Sequence, residues 1–596
     1  MPQLRWHFFV SLALALLLNL WLGPAIATMT HPPQLLTDPF LQFPSSHSVR
    51  VVWFTEFAGI RHQVTYGQPL NQTASATTTQ LSRTREDADS KLSSSYPAVT
   101  DRRIWRHEAE VTLPAQTRLP YRVTSVREDG ATVTSAIYTL AAKPAPGQPL
   151  KILLTSDHQL KPMAAANLQK VVETVGQVDG VFFAGDLVNV PDRASEWFDD
   201  RQGGAFFPVL QGRANYELEK NGVKTRYQGG AVIQHAPLYP AIGNHEVMGR
   251  FSSEASLNSQ FGDPIPRQVA QALYQPPSDS AASTSPAPTT WIKNHSFNTD
   301  TYEEIFSLPP TPQGKATYYA ESFGDVRLVV LYITNVWRSP YLDDRTRGKY
   351  REAAADLENP ANWGYGQHIF ESIAPGSPQY VWLEQELQSS AFQQAKYKIV
   401  MFHHPPHSLG ENIVPAYTDP VQKIETDISG QVTAIKYEYP QSQDYITQAI
   451  VPLLEQAGVQ LVFYGHSHLW NRFTSPTGMH FLETSNVGNS YGAYVGTRQR
   501  QVPTTYQESY AATGNPNGLA PVIPTIAPLQ DASGQPLAFI ASNEITVFSI
   551  LDTGNGSISS YRFDTTKPAS PVVKFDQFTL QTERSGSGKN REIKSF

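Results

Sequence analysis

Apolar and polar positions along the chain fall into two regimes. From Pro33 to Ala142 they alternate with a period of two or run through β-formers: SVRVVWFTE (Ser48–Glu56), HQVTYG (His62–Gly67), HEAEVTLP (His107–Pro114) and LPYRVTSVREDGATVTSAIYTL (Leu119–Leu140), with Glu128-Asp129-Gly130 as a hairpin turn. Residues 33–142 therefore read as an all-β sandwich domain. The Pro-rich AAKPAPGQPL after it makes 143–150 a linker.

Beyond it, short apolar runs alternate with stretches of helical spacing. KILLTSD (Lys151–Asp157) is a strand, Leu168, Val171, Val172 and Val175 repeat at helical spacing, and VDGVFFAGD (Val178–Asp186) is a second strand. Strand, helix, strand is the unit of a parallel sheet. YKIVMF (Tyr397–Phe402) and VQLVFYG (Val459–Gly465) are further buried strands, preceded by the helical stretches YVWLEQELQ (Tyr380–Gln388) and YITQAIVPLLEQA (Tyr445–Ala457). Pro536–Asp564 closes the pattern with strands around a Gly-Asn-Gly turn. Residues 151–565 are expected to form an α/β domain, a mixed sheet sandwich flanked by helices. Within it the Ser-, Pro- and Ala-rich stretch 262–290 reads as a mobile surface insertion, and 583–596 as a disordered tail.

The N-terminus adds a destination. Arg5, the uncharged run VSLALALLLNLWL and the small-residue pattern Ala25-Ile26-Ala27 have the layout of a cleavable signal peptide over 1–27. The expectation is an exported protein, periplasmic or extracellular, with no transmembrane segment once the peptide is removed. The 596 residues contain no cysteine, which rules out disulfides, thiolate metal sites and cysteine nucleophiles. A net charge of -7 indicates no nucleic-acid-binding surface.

The chemistry lies in the residues directly after each apolar run. After KILLTS comes Asp157-His158-Gln159; after VDGVFFA, Gly185-Asp186; after PLYPAI, Gly243-Asn244-His245-Glu246; after YKIVMF, His403-His404; after VQLVFY, Gly465-His466-Ser467-His468. Ligands of open α/β sheets bind where the carboxyl ends of strands share an edge, so these side chains should converge. Carboxylate, amide and imidazole without sulfur suit Mn, Fe, Zn or Co. Any one motif is a commonplace turn or loop; five in order, each after a strand, are not.

This series resembles that of the calcineurin-like metallophosphoesterases, whose motifs run Asp-x-His, Gly-Asp, Gly-Asn-His-Asp/Glu, a histidine after a strand, and Gly-His-x-His. The resemblance spans Leu150 to Asp564. It implies a four-layer α/β/β/α fold, two divalent or trivalent metal ions, a bridging hydroxide and a phosphate ester substrate. It further implies that Asp186 bridges the metals, that Asp157 and His468 join it on the first, and that Asn244, His403 and His466 join it on the second. His245 would face the phosphate as a catalytic group, with Glu246 orienting it. Gln159 stands where the family has histidine, and its carbonyl is the candidate ligand there. His158 is expected to face away as a structural residue. His404, His407 and Arg250 are loop residues or substrate contacts, and Thr301–Pro309 is a segment that could line the cleft.

A sandwich ahead of such a domain is also similar to purple acid phosphatases. Those carry tyrosine where this chain has Asn189 and glycine where it has Gln159, so their colour is not expected. LPAQTRLPYRV resembles the corner of fibronectin type III domains, with Tyr121 as the corner tyrosine. The rival reading is a non-catalytic envelope protein that keeps a structural metal site and binds a partner through its sandwich.

Overall fold

The structure is a computed structural model that describes residues 31–114, 117–275, 288–310, 317–338, 348–410, 412, 416–493, 520–523 and 525–581. The expected signal peptide, the tail and most of the Ser- and Pro-rich DSAASTSPAPTT lie outside the described residues. The described part of 262–290 includes a helix at Arg267–Leu273.

The N-terminal region is two antiparallel sheets. One runs Phe40–Gln42, Ser48–Thr55, Trp105–Thr112, Thr77–Gln80; the other runs Thr132–Thr134, Arg118–Val126, Arg61–Tyr66, Gln72–Ser75, with Tyr138–Ala141 also on Arg118–Val126. The expected turn forms between Arg118–Val126 and Thr132–Thr134, where Gly130 N–H donates to Arg127 O. Alternation in Ser48–Thr55 serves two cores at once. Val49, Val51 and Trp53 face Val64, Tyr121 and Val123 inside the sandwich, while Val52 and Phe54 join the core of the second domain.

Tyr121 is buried, yet its hydroxyl does not close a corner of its own sheet. It donates to Gln234 O at 2.8 Å, in the second domain. The tyrosine-corner expectation is corrected: the tyrosine is a fastener between domains. Ion pairs do the same work at Arg85–Asp192 (2.9 Å), Arg193–Asp87 (3.0 Å) and Arg102–Asp199 (2.6 Å). The stretch 143–150 is also tied down, through Lys143 to Glu321 and the Gly147 amide to Asp325. Thr301–Pro309 includes part of a helix, Asp300–Ile305, and sits against the sandwich, with Glu304 accepting from Ser82 and Ser307 from Arg106.

Inside the sandwich, His62 and His107 stack at 3.6 Å and 13°. Each ring has two partners: Thr55 and Thr78 for His107, Ser125 and Ala58 O for His62. Burial lowers both, His107 to about 3. A histidine held neutral when folded and titrating near 6.5 when unfolded stabilises fully above about pH 6.5 and progressively less as pH falls towards 3. His107 alone is expected to cost about 2 kcal/mol between pH 7 and 5. Thermal melts across that range should show the loss, and H107N should flatten it.

The second region carries two mixed sheets. The first runs Leu238–Pro240, Gly180–Phe183, Lys151–Thr155, Ile545–Asp552, Ser557–Asp564, Val573–Thr579; the first three strands are parallel. The second has Val326–Val330, Tyr397–Met401, Leu461–Tyr464 and His480–Thr484 parallel at its centre. Period-two burial partitions its residues. Leu328, Val330, Ile399, Met401, Leu461 and Phe463 share one core with the first sheet; Val329, Val400, Phe402, Val462 and Tyr464 pack beneath Leu383 and Leu387 of the helix Pro378–Gln388. The predicted helix Ala164–Val175 forms and lies on the first sheet, where Asn167 donates to Val547 O. Tyr445–Ala457 is helical as expected, with its first part, Ile446–Ile450, wound wider than the α-helix Val451–Gln456 that continues it. Pro452 has no N–H for Gln448 O, which loosens the ladder there.

Among the described residues, no helix is long and apolar enough to cross a membrane.

Candidate metal centre

Five strands, three from one sheet and two from the other, stop at the facing carboxyl edges of the sheets and release their polar ends into one space. The backbone there is unusual. Asp157, Gln159, Asp186, His466 and His468 all have positive φ, between +42° and +76°. Non-glycine residues in that region are strained and persist where the surroundings hold them. Two glycines before the key residues permit the close approach: a Cβ on Gly243 would lie 2.2 Å from Asp186 Oδ1, and one on Gly465 would lie 2.4 Å from Asp157 Oδ2.

The side chains form two groups that meet at Asp186. In the first, ligand atoms of Asp157, Asp186 and His468 lie within 4.8 Å of one another. His468 Nδ1–H donates to Asn489 O at 2.9 Å, leaving Nε2 free 3.5 Å from Asp157 Oδ1. Gln159 Nε2 donates to Asp186 Oδ2 at 2.7 Å. In the second, His403 Nδ1–H donates to Ala184 O at 2.8 Å, so its Nε2 is free. That atom sits 3.2 Å from each of Asn244 Oδ1, His466 Nδ1 and Asp186 Oδ1. Ligand atoms about 2.0 Å from a tetrahedral ion are about 3.3 Å apart, so the set fits a first-row cation. Second partners that fix the imidazole tautomers are the usual support of metal-binding histidines.

Electrostatics agree with the spacing. Burial pushes the Asp157 carboxyl up to about 7. Burial would lower His403, but Asp186 overrides it and lifts the imidazole to about 9. A cation bound between such groups would hold the carboxylate charged and the imidazole neutral.

His245 stands at the rim. Its side chain is 21 % exposed, and Nε2 faces Asp186 Oδ2 at 4.0 Å. Its orienting partner is not Glu246. His245 Nδ1–H donates to Asn189 O at 2.7 Å, and the ring stacks on Phe261. Glu246 instead accepts three backbone amides, from Asp186, Leu187 and Gly243, at 2.7 to 2.8 Å. The expectation that Glu246 orients His245 is therefore corrected: a fully buried carboxylate ties two ligand loops together. Asn189, which the sequence marks only as a departure from tyrosine, supplies the orientation through its backbone.

His158 points away as expected, edge-on to Phe183 and bonded to Thr155. Arg250 pairs with Asp263. His407 is buried 3.4 Å from Glu483. His404, expected as a loop residue or substrate contact, is buried and stacks on His466 at 3.9 Å, forming a three-imidazole cluster with His403. Sequence reasoning missed Glu483, which accepts from the Ser467 amide and hydroxyl, Asn471 and Ser485 and so braces the Gly-His-Ser-His loop. A charged residue inside an apolar strand, HFLET, was its available signal. Lys161, also missed, is buried two residues after Gln159.

A family model described as calcineurin-like phosphoesterase matches residues 150–469, more than half of the chain. The chain belongs to the calcineurin-like phosphoesterase family. Among solved structures, purple acid phosphatase PPD1 from yellow lupin (Lupinus luteus) seeds aligns with a TM-score of 0.50 at 14% identity, covering 91% of this chain and 73% of that one. At that identity the likeness bears on the fold. The structure of PhoD aligns with a TM-score of 0.44 at 12% identity, covering 94% of each chain. No curated protein matches the sequence.

Proposed function

We propose that this family member is an exported, metal-dependent phosphoesterase that hydrolyses phosphate esters at a dinuclear centre. The observation that carries the reading is Asp186, which offers one carboxylate oxygen to each of two ligand groups beside a partly exposed histidine of fixed tautomer. Asp157, His468 and Asp186 would hold one ion, which Gln159 could join only with its amide turned from its present donation to Asp186 Oδ2; Asn244, His403, His466 and Asp186 would hold the other. When bound, the ions supply the charge that polarises a phosphoryl oxygen and lowers the pKa of an attacking water.

The chain's own residues do the rest. The carboxylates and imidazoles hold the centre in one geometry, braced by Glu246 and Glu483. His245 presents Nε2 at the opening, within reach of a substrate oxygen, and can hold a proton for the leaving group. The two-sheet arrangement with helix Pro378–Gln388 outside supports the four-layer order. The pairings of the N-terminal sheets support a fibronectin type III-like domain. Export rests on the Arg5, apolar-run and Ala25-Ile26-Ala27 pattern.

His245→Ala tests catalysis against the non-catalytic alternative. We expect p-nitrophenyl phosphate or bis-p-nitrophenyl phosphate turnover to fall about 10²- to 10⁴-fold with metal content unchanged. Wild-type turnover that H245A leaves intact would discard the catalytic role.

A further inference from the structure

The first ligand group has an aromatic neighbour. The ring of Tyr491 stacks on the imidazole of His468, with centroids 5.2 Å apart and planes 25° off parallel. That contact covers one face, yet the residue is 44 % exposed, so the opposite face and the edge are open to solvent. The backbone on either side fixes the ring in place. Asn489, two residues earlier, accepts the His468 Nδ1–H through its carbonyl. Asn543 grips Ser490 twice, accepting its amide N–H at 2.6 Å and donating to its carbonyl at 3.2 Å. Ala493 pairs with Gly410, and Gly410 lies against Ser467, where an added Cβ would come 2.5 Å from the Ser467 Cβ. The loop from Asn489 to Ala493 therefore runs beside the Gly-His-Ser-His turn, pinned before and after the tyrosine. The partly exposed His245 meets the same centre, with Nε2 4.0 Å from Asp186 Oδ2, and Asp186 in turn groups with His468.

We propose that Tyr491 is a substrate-contact residue, the platform on which a planar aromatic group of the phosphate ester stacks while its phosphoryl group lies at the metal ligands. The inference rests on the phosphoesterase reading and deepens it by naming a substrate class: esters that carry an aryl ring or a nucleobase. Packing over His468 needs only the covered face of the ring, and leaves the open face without a role. Aromatic pairs prefer offset stacks with centroids about 4.5–7 Å apart, so a ring laid on that face stays within one ring thickness of the loop. Stacking accepts any π face and asks for no donor pattern, so the platform selects for flatness. An alkyl ester has no such face and buries less apolar area there.

The test is a ratio of substrates. Metal-loaded wild type and variants are assayed on phenyl phosphate, adenosine 5′-monophosphate and glycerol 1-phosphate, and kcat/KM for each aromatic ester is divided by that for the glycerol ester. A loosened His468 or a lost ion lowers all three alike and cancels, and so does the intrinsic reactivity of each ester when variant is compared with wild type. Tyr491→Ala should lower the ratio for at least one aromatic ester by about fivefold or more. Tyr491→Phe keeps the ring and should keep the ratio, whereas Tyr491→Leu keeps apolar bulk without a π face and should lower it. A loss on phenyl phosphate places the stacked ring directly on the ester oxygen; a loss on the nucleotide places it one sugar away. If Y491A and Y491L leave both ratios at the wild-type value, the platform is overturned while the phosphoesterase reading stands. Absence of wild-type turnover on all three esters would overturn both.

Discussion

Asp186→Asn is expected to empty both metal positions and to lower phosphoester turnover by about 10³-fold or more. Asp186 is the ligand candidate that the two groups share. Oδ1 lies 3.2 Å from His403 Nε2, and Oδ2 accepts from Gln159. Burial works against its charge, and His403 and His245 hold it below the usual carboxylate range. Asparagine keeps the shape, removes the charge and presents an N–H₂ to one group. A metal clamp is worth several kcal/mol of transition-state stabilisation, and each 1.36 kcal/mol is tenfold in rate. Asp157→Asn touches one group only, so it should lose one ion per chain and keep the other. Metal counting on the two variants checks the arrangement before any substrate is added. An Asp186→Asn protein that keeps two ions and a tenth of wild-type turnover would remove the bridging assignment.

The range of the forces involved decides which features the sequence reveals. The five strand ends were legible because apolar runs mark buried strands and polar residues directly after them stand out. The sandwich strands were legible from period-two alternation, and helix Ala164–Val175 from its apolar spacing. The partner of Tyr121 was not, because a buried hydroxyl finds its acceptor in three dimensions, here 113 residues along the chain. Nor was the orienting contact of His245, since a backbone carbonyl carries no residue-type signal. The positive φ of five site residues was equally hidden, because ligand-site strain is imposed by surrounding loops rather than by local propensity. The hairpin Tyr216–Lys220 with Val223–Tyr227 escaped because its alternation is largely polar on both faces. The burial of Lys161 was hidden for a related reason, since a lone lysine reads as surface and its surroundings form only in three dimensions.

Glu246→Gln is expected to cost stability and metal retention together, by about 3 kcal/mol or more, rather than turnover alone. The prediction separates the two roles open to this carboxylate. As an orienter of His245, its loss would lower turnover and spare the fold. The geometry gives the other role. Oε2 accepts from the Asp186 and Gly243 amides and Oε1 from the Leu187 amide, all buried. Burial, then the charge of Asp186, push the carboxyl up to about 8 against the pull of those amides. Glutamine can replace one acceptor oxygen, and its N–H₂ must then face N–H groups. Each buried amide left without an acceptor costs about 1–3 kcal/mol. Because the amides belong to Asp186 itself and to the glycine before Asn244, the strain enters both ligand loops at once. Chemical denaturation and metal content measured on the same samples, with H245A as the comparison, decide the matter. If E246Q melts like the wild type, keeps its ions and loses only turnover, the carboxylate acts through His245 after all; a protein that is less stable and short of metal identifies it as the brace that holds Asp186 between the two halves of the centre.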